Sequence, residues 1–160
     1  MGPAEDATDG IERSLEMLFR LNASRKVHAR RAAAAGVVVS PPGCVLLRRI
    51  QEEGPISLGD LSRLTEMDPA ATGRQIRQLE HDGLVVRSPS ETDGRVTVVS
   101  VTPRGAEVRR RLAEVGQAHM EGVLEQWSKA DRAALAKLLA RLVDDLRTSH
   151  YESINEEKAG

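Results

Sequence analysis

Apolar positions along this chain follow two different periods, and the changes between them divide it into elements. Residues 1–10 are mostly small and polar and are expected to form a disordered leader. Ile11, Leu15, Leu18, Leu21 and Asn22 then recur at three- and four-residue steps, and the pattern runs through Val27 into a run of alanines. That spacing predicts one long first helix ending near Gly36. Ser40, Pro41, Pro42 and Gly43 read as a turn opening a second helix, which carries Cys44, Leu46, Leu47 and Ile50 inward and stops at Gly54 and Pro55.

Ser57 followed by Asp60 fits a variant of the capping box, a hydroxyl cap with an acid three residues on, and predicts a short third helix buried through Leu58, Leu61 and Leu64. Met67, Asp68 and Pro69 read as hydrophobic staple, N-cap and first helical position of a fourth helix. Its inward side is Thr72, Ile76 and Leu79, and Gly83 ends it. The period then changes to that of strands: Leu84 to Arg87 and Val96 to Val101 are β-branched runs separated by turn residues, a hairpin with a long tip. Helical spacing returns through Val108, Leu112, Val115, Val123, Leu124 and Trp127, and a last helix opened by Ser128 or Asp131 carries Leu135, Leu138, Leu139, Leu142, Val143 and Leu146.

A short helix, a tight turn, a second helix and a two-stranded hairpin form a winged helix-turn-helix. The expected fold is therefore mainly α, an α+β winged helix. It divides into an N-terminal dimerisation helix over 11–40, a winged lobe over 41–105, C-terminal dimerisation helices over 106–148, and a polar tail over 149–160.

Composition agrees. Hydrophobic residues make up 40% of the chain but aromatics only 2%, so the core must come from aliphatic side chains, which suits packed helices. The net charge of −1 is low for a nucleic-acid binder, yet the charge is unevenly spread. Arg20, Arg25, Lys26, Arg30 and Arg31 follow one another with no acid between them, whereas Asp144 to Lys158 carries five acids against two bases. A phosphate-binding face can exist on such a protein. The acidic start and the lack of a long apolar run predict a cytoplasmic protein without a membrane partner. The single cysteine and four scattered histidines give no metal spacing, so neither metal nor cofactor is expected.

The stretch Leu79, Glu80, His81, Asp82, Gly83, Leu84, Val85, Arg87, together with Leu61 and Leu64 before it, resembles the MarR family of transcription regulators. The resemblance spans about residues 11 to 147 and is best at the wing: Asp93, Gly94, Arg95, then Val101, Thr102, Pro103, Arg104, Gly105. With Thr72, Ile76 and Leu79 turned inward, the fourth helix shows Ala70, Gly73, Arg74 and Arg77 outward, where a recognition helix meets base edges. Arg74 and Arg77 could donate to guanine or clamp phosphate; the alternative is a solvated face. Gln75 and Gln78 lie on the flanks. Gly73 departs from the family, where a hydroxylated residue is usual. Either the backbone approaches DNA there or the glycine is tolerated.

The resemblance assigns Arg95 to the minor groove or a phosphate, with Asp93 orienting it and Arg87 at the start of the wing also facing DNA; a structural ion pair at the tip is the alternative. Ser57 could present helix amides to phosphate or simply cap. The family also implies a two-fold dimer, placing Ile11, Leu15, Leu18, Leu138, Leu142 and Leu146 between copies. It further implies release by a small aromatic or anionic effector, for which Arg20, Arg25 and His28 are the candidate contacts. Cys44 reads as a core residue.

The expected function is a double-stranded DNA-binding regulator, a repressor on a pseudo-palindromic operator. The alternative is a winged-helix architectural or protein-binding module without sequence-specific recognition. An enzyme is not expected, because no phosphate loop or nucleophile elbow is present.

Overall fold

The computed structural model describes residues 6–149. They fall into two compact units, divided between Ala118 and His119. The first opens with α1 (Ala7–Asn22), capped by Asp6, whose carboxylate accepts the Thr8 N–H at 3.2 Å. Helix therefore begins inside the stretch expected to be disordered; residues 1–5 of that leader, and 150–160 of the tail, lie outside the described residues. The single first helix expected from the apolar spacing is in fact two. Ala23 closes α1, and Ser24, extended at φ −68° and ψ 116°, starts α2 (Arg25–Ala34). Asn22 and Ser24 carry short polar side chains that favour helix ends, a signal the alanine-rich surroundings obscure. Gly36, at φ 63°, ends α2 where the sequence places the stop.

Next, α3 (Pro41–Glu53) is capped by the Ser40 hydroxyl, which accepts the Gly43 N–H at 3.1 Å, and Gly54 at φ 80° closes it. It buries Leu46, Leu47 and Ile50, but Cys44 sits half-buried to one side instead of in the core. A strand that the sequence reading lacks, β1 (Ile56–Ser57), precedes α4 (Leu58–Thr65). At two residues it is too short to show any period. Leu61 is buried in α4 while Leu64 is exposed, against expectation, since the helix ends one residue later at Thr65 and Glu66 turns left-handed at φ 53°.

Asp68 opens α5 (Pro69–His81) as expected, its carboxylate accepting the Ala71 N–H at 2.8 Å. Thr72 is fully buried in place of an apolar residue, and its hydroxyl is satisfied by donating to the Asp68 carbonyl at 3.0 Å. The hairpin is β2 (Val85–Pro89) against β3 (Thr97–Val101), antiparallel from Val85 opposite Val101 to Pro89 opposite Thr97. β1 adds to the other edge of β3, giving the order β1-β3-β2. Leu46, Leu47, Ile50, Leu61, Ile76, Leu79, Leu84, Val85 and Val99 close one core beneath the helix-turn-helix and the wing.

Thr102 ties the wing to the next helix. Thr102 donates its hydroxyl to the Gly83 carbonyl at 2.7 Å and accepts the Gly105 N–H at 3.0 Å, at the start of α6 (Pro103–Val123). A Cβ on Gly105 would overlap the Leu84 carbonyl oxygen, so only glycine fits. This is the physical content of the threonine-x-x-glycine closure.

In the second unit the chain leaves α6 at Val123, and Trp127 falls in the turn beyond the helix. The Arg132 guanidinium fastens that turn by donating to the carbonyls of Leu124, Glu125 and Trp127 at 2.5, 3.2 and 3.2 Å. Ser128 caps α7 (Lys129–Thr148), accepting the Asp131 N–H at 3.1 Å, so both candidate start residues take part.

Candidate nucleic-acid interface

α5 has the inside and outside that its spacing predicts. Thr72, Ile76 and Leu79 are buried, Ala70, Arg74 and Arg77 are exposed, and Gly73 is half-buried. Neither Arg74 nor Arg77 has a carboxylate partner among the described residues, so both guanidiniums face solvent with their donors available. A Cβ at Gly73 would touch only the end of Arg77, at 3.8 Å. The chain's own packing therefore does not require glycine there.

At the wing, Asp93 acts on the backbone. Its carboxylate accepts the Arg95 backbone N–H at 3.0 Å, and its carbonyl accepts the Val96 N–H at 2.9 Å, while the Ser90 N–H closes onto the Val96 carbonyl at 2.7 Å. Asp93 thus holds Arg95 from its main chain, through a turn. Arg95 itself is exposed at the tip.

Two other residues expected to face DNA are engaged inside the lobe. Arg87 is 28% exposed, with Nε 3.2 Å from Glu80 Oε2. The charges meet, but the N–H is not aimed along the contact, and Nη2 is buried without a partner among the described residues. This pair braces the wing against the end of α5. The Ser57 hydroxyl accepts the Asp60 N–H at 3.1 Å and donates to the Asp60 carboxylate at 2.7 Å, and Arg63 also pairs with Asp60. The start of α4 therefore already holds an acid, and capping accounts for Ser57.

A cleft of about 310 Å³ lies beside α2, α3 and the first half of α6, lined by His28, Arg31, Cys44, Arg48 and Arg109 among others, and by no carboxylate. Of the three candidate effector contacts only His28 reaches it; Arg20 and Arg25 do not line it, because the break at Ala23 and Ser24 interrupts the helix expected to carry them there. Sequence reasoning missed Arg31, Arg48 and Arg109 as a group, since they come together from three helices. The Arg31 guanidinium donates twice to the Leu112 carbonyl, at 3.1 and 2.8 Å, over Gly116, where a Cβ would come within 2.6 Å of it. Burial pushes the Cys44 thiol above its ordinary pKa, although Arg31 and Arg109 pull the other way.

The apolar residues assigned to a dimer contact are open within one chain. α1 and α7 contain no buried residue, Ile11 and Leu18 are 51% and 54% exposed, Leu138 and Leu146 are 62% and 46%, and Leu15 and Leu142 are half-buried.

The MarR family model matches residues 39–97, from the strap before α3 through the wing. The chain is 28% identical to the HTH-type transcriptional repressor Rv2887 of Mycobacterium tuberculosis over 145 residues, covering 91% of this chain and all of that one. It is 30% identical over 102 residues to the uncharacterised HTH-type transcriptional regulator Mb0904 of Mycobacterium bovis, 62% of this chain and 71% of the relative. The crystal structure of Rv1404 from M. tuberculosis superposes with a TM-score of 0.72 at 28% identity, covering 90% and 97% of the two chains. With the helix-turn-helix, the wing and its threonine–glycine closure all in place, the chain belongs to the MarR family of transcriptional regulators.

Proposed function

We propose that this regulator binds a pseudo-palindromic operator as a homodimer, represses by occluding a promoter, and is released by a small anionic effector. The observation that carries the DNA reading is α5: a buried Thr72–Ile76–Leu79 face sets Ala70, Gly73, Arg74 and Arg77 outward as a recognition surface beside a wing whose tip holds Arg95. Arg74 and Arg77 read base edges or clamp phosphates, Arg95 enters the minor groove or meets a phosphate, and Arg87 with Glu80 holds the wing at its angle. The uncovered apolar positions on α1 and α7 support a second copy as partner. The cleft, cationic and without an acid in its lining, supports an anion as effector.

Selection of bound sequences from a random duplex pool tests this reading, followed by titration of the winner at two salt concentrations. An inverted repeat with half-sites about one helical turn apart is the expected outcome. In that assay Arg95→Ala should weaken binding to every duplex and lower the salt slope by about one. Weak binding with no sequence preference would instead make the protein an architectural or protein-binding module.

A further inference from the structure

Residues 37–40, the strap between α2 and α3, join the cleft to the recognition helix. His28, on the cleft wall, donates from Nε2 to the Val39 carbonyl at 2.8 Å. The next residue, Ser40, accepts the Gly43 N–H at 3.1 Å and donates to Gln75 Oε1 on α5 at 2.7 Å. There is no slack between them: a Cβ on Gly43 would meet Ser40 Oγ at 2.9 Å, Val39 Cγ2 at 3.2 Å and Leu79 Cδ2 at 3.4 Å.

A hydroxyl has one hydrogen. That of Ser40 goes to the Gln75 oxygen while a lone pair takes the Gly43 N–H, and the Gln75 NH₂ turns away without a partner among the described residues. Gln75 lines an open groove together with Arg74 and Gln78, on the flank of the outward face of α5. A glutamine reads adenine by donating and accepting at once. With its oxygen turned to Ser40, Gln75 presents its NH₂ outward, to donate to O6 or N7 of guanine, O4 of thymine or N7 of adenine.

We propose that Ser40 positions Gln75 as a one-way hydrogen-bond donor toward the major groove, making Gln75 a specificity-determining residue, and that His28 sets the strap so that this preference is coupled to the cleft. The proposal rests on the DNA-reading role of α5. Coupling of this kind is reciprocal: whatever draws the His28 N–H away from Val39 weakens the base contact, and the correct base steadies the strap.

Ser40→Asp tests it without sacrificing the helix cap, because aspartate also accepts at that position but cannot donate to Gln75. Gln75 should then turn its NH₂ to the carboxylate and its oxygen outward. At one position in each half-site the selected base should shift from guanine or thymine toward cytosine, whose edge there offers only a donor, by about fivefold, the worth of one ordinary hydrogen bond. Gln75→Ala should erase the preference at that same position, and Ser40→Asp added to it should do nothing more. His28→Ala should loosen the same position, and His28→Gln, which can still donate to Val39, should restore it. Circular dichroism confirms that each variant is folded, and Gln75→Glu, which keeps an acceptor for Ser40 and turns another outward, gives an independent route to the same shift.

An unchanged base preference in Ser40→Asp with duplex binding intact overturns the proposal, as do independent, additive effects of Ser40 and Gln75 or a silent His28→Ala. Failure of the unmodified chain to select any sequence is told apart from these, because it overturns the reading of α5 itself.

Discussion

The winged lobe and the outermost helices solve the problem of apolar surface in opposite ways. In the lobe, three helices and a small sheet close around Leu46, Leu47, Ile50, Leu61, Ile76 and Val99, all essentially without exposure. α1 and α7 are amphipathic too, yet no residue of either is fully buried within one chain. The lobe is finished by its own residues, whereas the outer helices leave large apolar side chains exposed within one chain. Damage to the lobe should therefore appear as lost folding, and damage to the outer helices as lost association.

The largest effect should come from Gly105→Ala. The new methyl has nowhere to go, since the Leu84 carbonyl occupies its position and Val101 Cγ1 lies 2.9 Å away. Displacing that backbone also strains the Thr102 hydroxyl bridge from Gly83 to Gly105. Chemical denaturation should show a loss of about 2–3 kcal/mol, as for overpacked sites. A melting midpoint equal to the parent's would mean that α6 is free to move away from the wing, and the contrast between a closed lobe and open helices would weaken.

Leu138→Glu addresses the other side. Leu138 is 62% exposed, so the charge costs little in the lone chain. Inside a dimer it would be buried without a partner, which is expensive. Sedimentation equilibrium should show the dissociation constant rising at least about tenfold, about 1.4 kcal/mol, with the helical circular dichroism retained. A dimer unaffected by the substitution would move the interface away from this face of α7.

The same contrast explains how much of the molecule is legible in its sequence. Inside the lobe the decisive signals are local: Ser57 and Asp60 are three residues apart, Asp68 and Pro69 are adjacent, and the stop residues Gly54 and Gly83 both take positive φ. Local chemistry of this kind survives the absence of a structure, so the starts of α4 and α5 are readable almost to the residue, and the hairpin of the wing to within two, β2 running on to Pro89 through residues read as turn. The break at Ala23 and Ser24 is not, because one extended residue hardly disturbs apolar spacing. Nor is the cleft, whose cations Arg31, Arg48 and Arg109 belong to three helices and become neighbours only through folding. For Arg87 and Ser57 type and position suit phosphate, and only the structure shows the partners they also have, Glu80 and Asp60. Side-chain type announces what a residue can bind, while its neighbours decide what it does bind.

Gly73 separates folding from function within a single residue, and its effect should be the smallest. In mid-helix a glycine costs about 0.5–1 kcal/mol relative to alanine through backbone entropy, and the space around it would accept a methyl, with only Arg77 Nη1 at 3.8 Å. Gly73→Ala should therefore stabilise the free protein by about that amount. If the glycine exists to let DNA approach the backbone of α5, the same substitution should weaken operator binding while the protein becomes more stable. Opposite signs in thermal melting and in duplex titration would place the DNA against Gly73. A gain in stability with affinity unchanged would leave Gly73 merely tolerated and shift the reading of the operator onto Arg74 and Arg77.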